Sequence, residues 1–289
     1  MRRKIIISAL IVAILLIASC VYFSNPPSVA RPAITSDNSG GAIVIYEVYK
    51  IFHKCDCYVQ RIGPEGDFLW GEKGILIGSG YKALGLYSLH AVSDGSGGAI
   101  VIWRESLPRP KGKPPYPRYL SKTYVLKVDS EGNFPWGKDG VSLGLHGHPP
   151  CRDAASDNLG GVIGVQKIAK EDSISAQRVD SEGNILWQRG GVQAFVGPAE
   201  EPQVTSDGSG GAIIAYRRMI PSEEHKHGYS DSDIYAQRID AKGNILWGPD
   251  GVPICVGPSH PDSPRIVDDG AGGAIIIWRE IHLRSENRF

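Results

Sequence analysis

Two short histidine clusters carry the most metal-like chemistry in this 289-residue chain: His146-x-His148 with Cys151 close behind, and His225-x-His227 preceded by Glu223 and Glu224. Imidazole nitrogens beside a thiolate or carboxylates suit Zn²⁺ or Cu²⁺. Spacing fixes no third and fourth ligand, so no metal is assigned and no cofactor is expected. A different chemistry, recognition of a partner, belongs to the stretch 107–119, where Arg109, Lys111, Lys113 and Arg118 stand among five prolines and two tyrosines. The prolines favour extended polyproline geometry and so a stiff projection. Its functional reading is a loop for a protein or an anionic glycan, with Tyr116 and Tyr119 as contact surfaces, and its bland reading is a solvated insertion. Glu105 and Glu280, after Trp103-Arg104 and Trp278-Arg279, are the nearest to the unpaired carboxylates a glycosidase or lyase needs. Other copies of the same segment hold Arg218 and Lys167 there, so neither acid is assigned. The sequence has no Gly-x-Ser-x-Gly, His-Glu-x-x-His, phosphate loop or Gly-x-Gly-x-x-Gly. No catalytic residue is expected.

These residues hang on a repeated frame. One segment recurs five times: SDNSGGAIVIY from Ser36, SDGSGGAIVIW from Ser93, SDNLGGVIGVQ from Ser156, SDGSGGAIIAY from Ser206 and DDGAGGAIIIW from Asp268. A second recurs four times between them: YVQRIGPEGDFLWG from Tyr58, YVLKVDSEGNFPWG from Tyr124, SAQRVDSEGNILWQ from Ser175 and YAQRIDAKGNILWG from Tyr235. Copies of the first start 50 to 63 residues apart, so each period is one supersecondary module. In the first segment Asp37, Asp94, Asp157, Asp207 and Asp269 are read as turn caps, with glycines supplying positive φ. The following apolar run, such as Ala212–Tyr216, reads as a strand buried on both faces. In the second, Tyr235–Ile239 alternates, Asp240–Asn244 turns, and Ile245-Leu246-Trp247 is expected to return as the partner strand.

Two hairpins make a four-stranded antiparallel meander, and a repeated one with a large aromatic at a fixed place fits a β-propeller blade. Trp70, Trp136, Trp187 and Trp247 are expected to fill the wedges between neighbouring blades; a sugar-stacking platform is their functional alternative. The segment QRIDAKGNILWGPDGV from Gln237 resembles the delta-60 repeats of bacterial exported propeller proteins in its turn, its aromatic-Gly and its later Gly-Val. The expected fold is therefore all-β, a propeller of about five blades with 18 strands and an incomplete last blade. A two-stranded fifth blade, a truncated member of a longer family and a partner-completed ring are all compatible with that count, and open edges would favour self-association. The tight turns of every blade should share one face. The longer connections, at 105–122, 219–233, 144–152 and 196–203, should share the other, where binding surfaces usually sit.

At the N-terminus a basic Met1-Arg2-Arg3-Lys4 precedes an uncharged aliphatic run to Ser19. Ile17-Ala18-Ser19-Cys20 resembles the bacterial lipobox, which implies lipidation of Cys20; an uncleaved anchor is the alternative. The expected division is a signal peptide over 1–20, a tether over 21–30 and the propeller over 31–289. Both readings export the body and hold it at the extracytoplasmic side of a membrane. The chain has 31 basic and 31 acidic residues, and removing Arg2, Arg3 and Lys4 leaves 28 against 31. A slightly acidic body lacks the footprint of a nucleic-acid binder. Cys55, Cys57, Cys151 and Cys255 then remain, an even number that permits disulfides without fixing a pairing. These features describe a non-catalytic scaffold for a protein or glycan ligand, with a propeller-type carbohydrate-active enzyme or a structural fragment as alternatives.

Overall fold

Each first segment turns on its aspartate. Asp207 Oδ1 accepts the backbone N–H groups of Ser209 (2.9 Å) and Gly211 (2.8 Å), closing the turn in a way water need not complete. Asp37, Asp94, Asp157 and Asp269 repeat the arrangement on the N–H groups two and four residues on. The second turn is built alike: Asp240 Oδ1 accepts from Lys242 and Asn244, both at 2.8 Å.

The computed structural model describes residues 29–49, 55–80, 90–107, 120–146, 153–168, 171–221, 229–257 and 260–281. Among them are eighteen strands in five antiparallel sheets and no helix. The first sheet is β1 (Val29–Ser36), β2 (Ala42–Tyr49), β3 (Cys55–Ile62) and β4 (Ile75–Gly80). The second is β5 (His90–Ser93), β6 (Ala99–Leu107), β7 (Leu120–Val128) and β8 (Val141–His146). The third is β9 (Asp153–Ser156), β10 (Val162–Ile168), β11 (Ser173–Val179) and β12 (Val192–Val196). The fourth is β13 (Ala199–Ser206), β14 (Ala212–Pro221), β15 (Tyr229–Ile239) and β16 (Val252–Cys255), and the fifth is β17 (His260–Asp268) with β18 (Ala274–Ile281). Every sheet runs in chain order, so the fold is all-β: four complete propeller blades and a two-stranded fifth.

The outermost strand differs from expectation. Ile245-Leu246-Trp247 does not return as a strand; Ile245 makes a single bridge to Ile239, and the fourth strand is Val252–Cys255. A side chain takes the place of the ladder. Gln237 Oε1 accepts the backbone N–H of Trp247 (3.1 Å) while its Nε2 donates to the Gly248 carbonyl (2.5 Å). Gln60 clamps Trp70 and Gly71 in the same way, and Gln177 clamps Trp187 and Gln188. Two of the long connections are also shorter than expected: β13 begins at Ala199, and β14 runs on to Pro221 before β15 resumes at Tyr229.

Contacts divide the chain into two compact units, Met1–Ser106 with Tyr124–Val141, and Leu107–Thr123 with Ser142–Phe289. In the first, Ile43, Ile45, Cys57 and Val59 pack against Ala99, Val101, Leu126 and Val128. In the second, Ile163, Val165, Ile174 and Ala176 pack against Val204, Ala212, Ile214 and Tyr216. Burying each large aliphatic side chain contributes about 1.5–3 kcal/mol.

Polar groups fasten one blade to the next. In the second unit Arg178 Nε and Nη2 meet Asp157 Oδ2 at 2.9 and 2.8 Å, while Nη1 donates to the Ala241 carbonyl of the following blade (3.4 Å). Trp187 Nε1 donates to that same carbonyl (3.2 Å). In the first unit Arg61 and Trp70 converge likewise on the Ser130 carbonyl, with Arg61 on Asp37. Gly210, at φ +84°, is required twice over: a Cβ there would sit 2.7 Å from Arg178 Nη1. The tryptophans expected to be uniform wedge core are not uniform. Trp187 is buried, whereas Trp70, Trp136 and Trp247 are half-buried.

Asp157 is fully buried with its arginine, whereas Asp269 is exposed and has no cation among the described residues. Asp157→Ala should therefore lower stability by about 3–5 kcal/mol, the cost of stranding a buried charge. Asp269→Ala should lower it distinctly less. Urea unfolding of the two variants reads the difference, and equal losses would show that the turn cap alone carries the effect.

Candidate ligand-binding rim

The end of the second unit opposite the tight turns carries ion pairs that link neighbouring strands. One residue past the aromatic or Gln that ends each first segment stands Lys167 on β10, Arg217 on β14 and Arg279 on β18. Facing them are carboxylates from the starts of β13 and β17. Lys167 Nζ lies 2.5 Å from Glu200 Oε1 and 3.6 Å from Asp172 Oδ1. Arg217 Nε lies 3.8 Å from Glu201 Oε2, and Arg279 reaches Asp262 through Nε at 2.7 Å and Nη2 at 2.5 Å.

Two proline bulges present these acids. In β13 the pairing slips between Glu200 and Gln203, and in β17 between Asp262 and Arg265, around Pro202 and Pro264. Glu201 and Ser263, the residues before those prolines, take φ of +54° and +52°. Glu201 Oε2 thereby accepts the Ser263 backbone N–H at 2.8 Å, lacing one blade's inner strand to the next. Asp153 does the same for the Val204 N–H at 2.9 Å.

The paired arginine, through its hydrogen bonds, holds the Asp262 carboxyl below the usual range against the opposing effect of burial. Of the described carboxylates shifted from that range, Asp37, Asp180, Asp207, Asp240, Asp262 and Asp269 all move down. A general acid working near neutral pH needs the opposite shift. The rim presents fixed charges of both signs: Arg279 is 67% exposed at its side chain, while Arg217 Nε is buried with no hydrogen-bond partner.

Other residues expected from sequence fall elsewhere. Lys167 is not in register with Glu280 and Arg218 but one place earlier, in line with Arg217 and Arg279, because strand alternation separates the two columns. Arg218 stacks over Phe195 and Tyr235 at 5.3 and 5.1 Å and meets Asp250 at 3.8 Å. Glu280 Oε1 accepts from Trp278 Nε1 at 3.3 Å. Arg109, Lys111, Lys113, Tyr116, Arg118, Tyr119, His148, His225, His227, Cys20 and Cys151 lie outside the described residues, as do the side chains of Glu105, His146 and Cys55. Cys57 is buried in the first unit, and Cys255 Sγ stands 3.8 Å from Glu280 Oε1. Among the described residues no group of three His, Cys, Asp or Glu side chains is placed to hold a metal ion.

No protein-family model matches the chain, and no curated protein sequence matches it. Among solved structures it is similar to cobalt-substituted apocarotenoid oxygenase from Synechocystis, at 12% identity and a TM-score of 0.43 over 90% of this chain and 58% of that one. It is also similar to a glycosyl hydrolase from Bacteroides ovatus (11%, TM-score 0.36, 77% of this chain and 70% of that one). A third is a GH43_1 enzyme from Xanthomonas citri complexed with xylose (13%, TM-score 0.35, 92% of each chain). The chain spans between 53% and 58% of the oxygenase-type structures. At these values none bears on what this chain binds.

Arg279→Gln should raise the Asp262 carboxyl toward its ordinary value, read by carboxylate NMR titration. With the folded value depressed, the pair contributes stability above the unfolded carboxylate range and loses it as pH falls through the folded value. An unmoved titration in the variant would remove Arg279 as the cause.

Proposed function

We propose that this chain is a non-catalytic binding scaffold of the bacterial cell envelope, exported by its N-terminal segment and held through lipidated Cys20. One observation carries the binding part: the rim acids are committed to ion pairs, Glu200 to Lys167, Glu201 to Arg217 and Asp262 to Arg279. Groups fixed in this way recognise a polar ligand by position and charge and do not shuttle protons. The rim occupies the end of the second unit where the connections after β10 and β14 also leave the sheets, and the basic, tyrosine-bearing stretch 107–119 reads in the sequence as a further contact for a protein or glycan. The delta-60-like second hairpin agrees with an exported propeller.

The experiment is a screen of the purified protein against glycan and envelope-peptide arrays, with polysaccharide turnover followed in parallel. Saturable binding without turnover is expected, weakened roughly tenfold or more by Lys167→Ala or Arg279→Ala, since each removes a charged partner. Turnover abolished by one carboxylate substitution would replace this reading with an enzyme. The tether is checked separately: Cys20→Ala should leave an unlipidated precursor, and normal incorporation of labelled lipid in that variant excludes the lipobox.

A further inference from the structure

The third blade breaks the repeat at several places, and the breaks converge. In the other complete blades an aromatic pair faces across the second and third strands. Tyr46 stacks on Tyr58 at 5.6 Å, Trp103 on Tyr124 at 5.6 Å and Tyr216 on Tyr235 at 6.3 Å. Two of these rings also close the blade's outer turn: Tyr46 Oη donates to the Lys73 carbonyl (2.7 Å) and Tyr216 Oη to the Asp250 carbonyl (2.8 Å). In the third blade the corresponding pair is Gln166 opposite Ser175, and the corresponding carbonyl is that of Gly190. Neither replacement fills the volume of a ring.

A cavity of about 300 Å³ lies there, lined by Gly144, Ile168, Glu171, Ser175, Gln188–Gly191 and Gln193. All of these belong to the second unit. A Cβ added at Gly190 would meet nothing within 4 Å, so the opening reaches the backbone of that turn. Gln188 also replaces a glycine found at that step in the other three complete blades.

The lining is polar and carries one charge of each sign. Gln193 Nε2 donates to Glu171 Oε2 at 3.2 Å, and Gln188 Nε2 to the Gly191 carbonyl at 3.1 Å. Arg189 offsets Glu171, so the cavity selects no net charge. Beside it, on the same strand face as Ile168 and directly opposite Ser175, Gln166 is 1% exposed with both amide atoms lacking a hydrogen-bond partner. The Ser173 hydroxyl is likewise buried and unpartnered. Buried donors and acceptors without partners are rare in folded proteins, and a ligand or water that reaches them removes the penalty.

We infer that this cavity is a binding site for a small uncharged polyhydroxylated molecule of monosaccharide size, either a free sugar or the end unit of a glycan. Its volume is at the lower end for ligand pockets, and amide, hydroxyl and backbone groups pair with hydroxyls of either donor sense. The cavity shares no lining residue with the rim ion pairs, although Ile168 and Glu171 adjoin Lys167 and Asp172, and the two are told apart through Arg279 on β18.

The test titrates the full chain with glucose, xylose and N-acetylglucosamine, with short oligomers of each, and with glucuronate as the charged control, followed by calorimetry. At least one neutral sugar or oligomer is expected to bind saturably, and oligomers binding more tightly than the free sugar would identify a glycan end. Gln166→Tyr with Ser175→Tyr restores the aromatic pair of the other blades and should weaken that binding at least tenfold without lowering the unfolding temperature. Binding should persist in Arg279→Ala, whose loss of function would belong to the rim alone. No saturable neutral-sugar binding, preference for glucuronate, or binding that survives the filled cavity would overturn the inference. If the doubly substituted chain does not fold, the Gln188 and Gln193 side-chain amide resonances of the unaltered protein decide, since they must shift with sugar and unmoved signals reject the site.

Discussion

A backbone carbonyl at the second turn of a blade receives two donors from the blade before it, an arginine and an indole. In the second unit it is Ala241 under Arg178 and Trp187; in the first it is Ser130 under Arg61 and Trp70. The arginine is in turn anchored by the aspartate that caps its own blade's first turn. Two residues thus join three tasks: the aspartate closes a turn, and the arginine neutralises its buried charge and docks a neighbour. The blade-to-blade packing of aliphatic side chains gives most of the burial energy, but apolar contact is not directional. The hydrogen-bonded staple supplies the direction.

Against so regular a frame, departures carry information. The third blade gives up its aromatic pair, and with it the hydroxyl donor that closes the outer turn in the first and fourth blades. A substitution that merely weakened a blade would be expected to stand alone. Here Gln166, Ser175, Gln188 and Gly190 change together around one opening. The rim departs in another sense: its cations share one column of the repeat, while their acidic partners come from strands bent by prolines.

Much of the frame was legible in the chain. Ser-Asp-x-x-Gly-Gly declares its turn because aspartate oxygens and glycine φ leave few other conformations, and the count of eighteen strands follows from the hairpins. The outermost strand was misplaced because Ile-Leu-Trp reads as a strand, yet a glutamine ten residues away occupies its backbone groups. That clamp has no local signature. The cavity was written in the aligned repeats as Gln and Ser where rings stand elsewhere, but its meaning depends on knowing that the rings face each other. The rim was only half legible: the cation column can be aligned, whereas a bulge that turns Glu201 toward the next blade cannot.

In both pairs the staple runs one way, from the first blade to the second and from the third to the fourth, and the fourth blade carries the accepting carbonyl together with its own arginine and indole, Arg238 and Trp247. A gene segment duplicated in register would therefore encode a blade already able to grip the copy after it and be gripped by the copy before it. Growth by whole modules needs no fresh interface, and afterwards a single copy is at liberty to drift toward a task of its own, as the third has done.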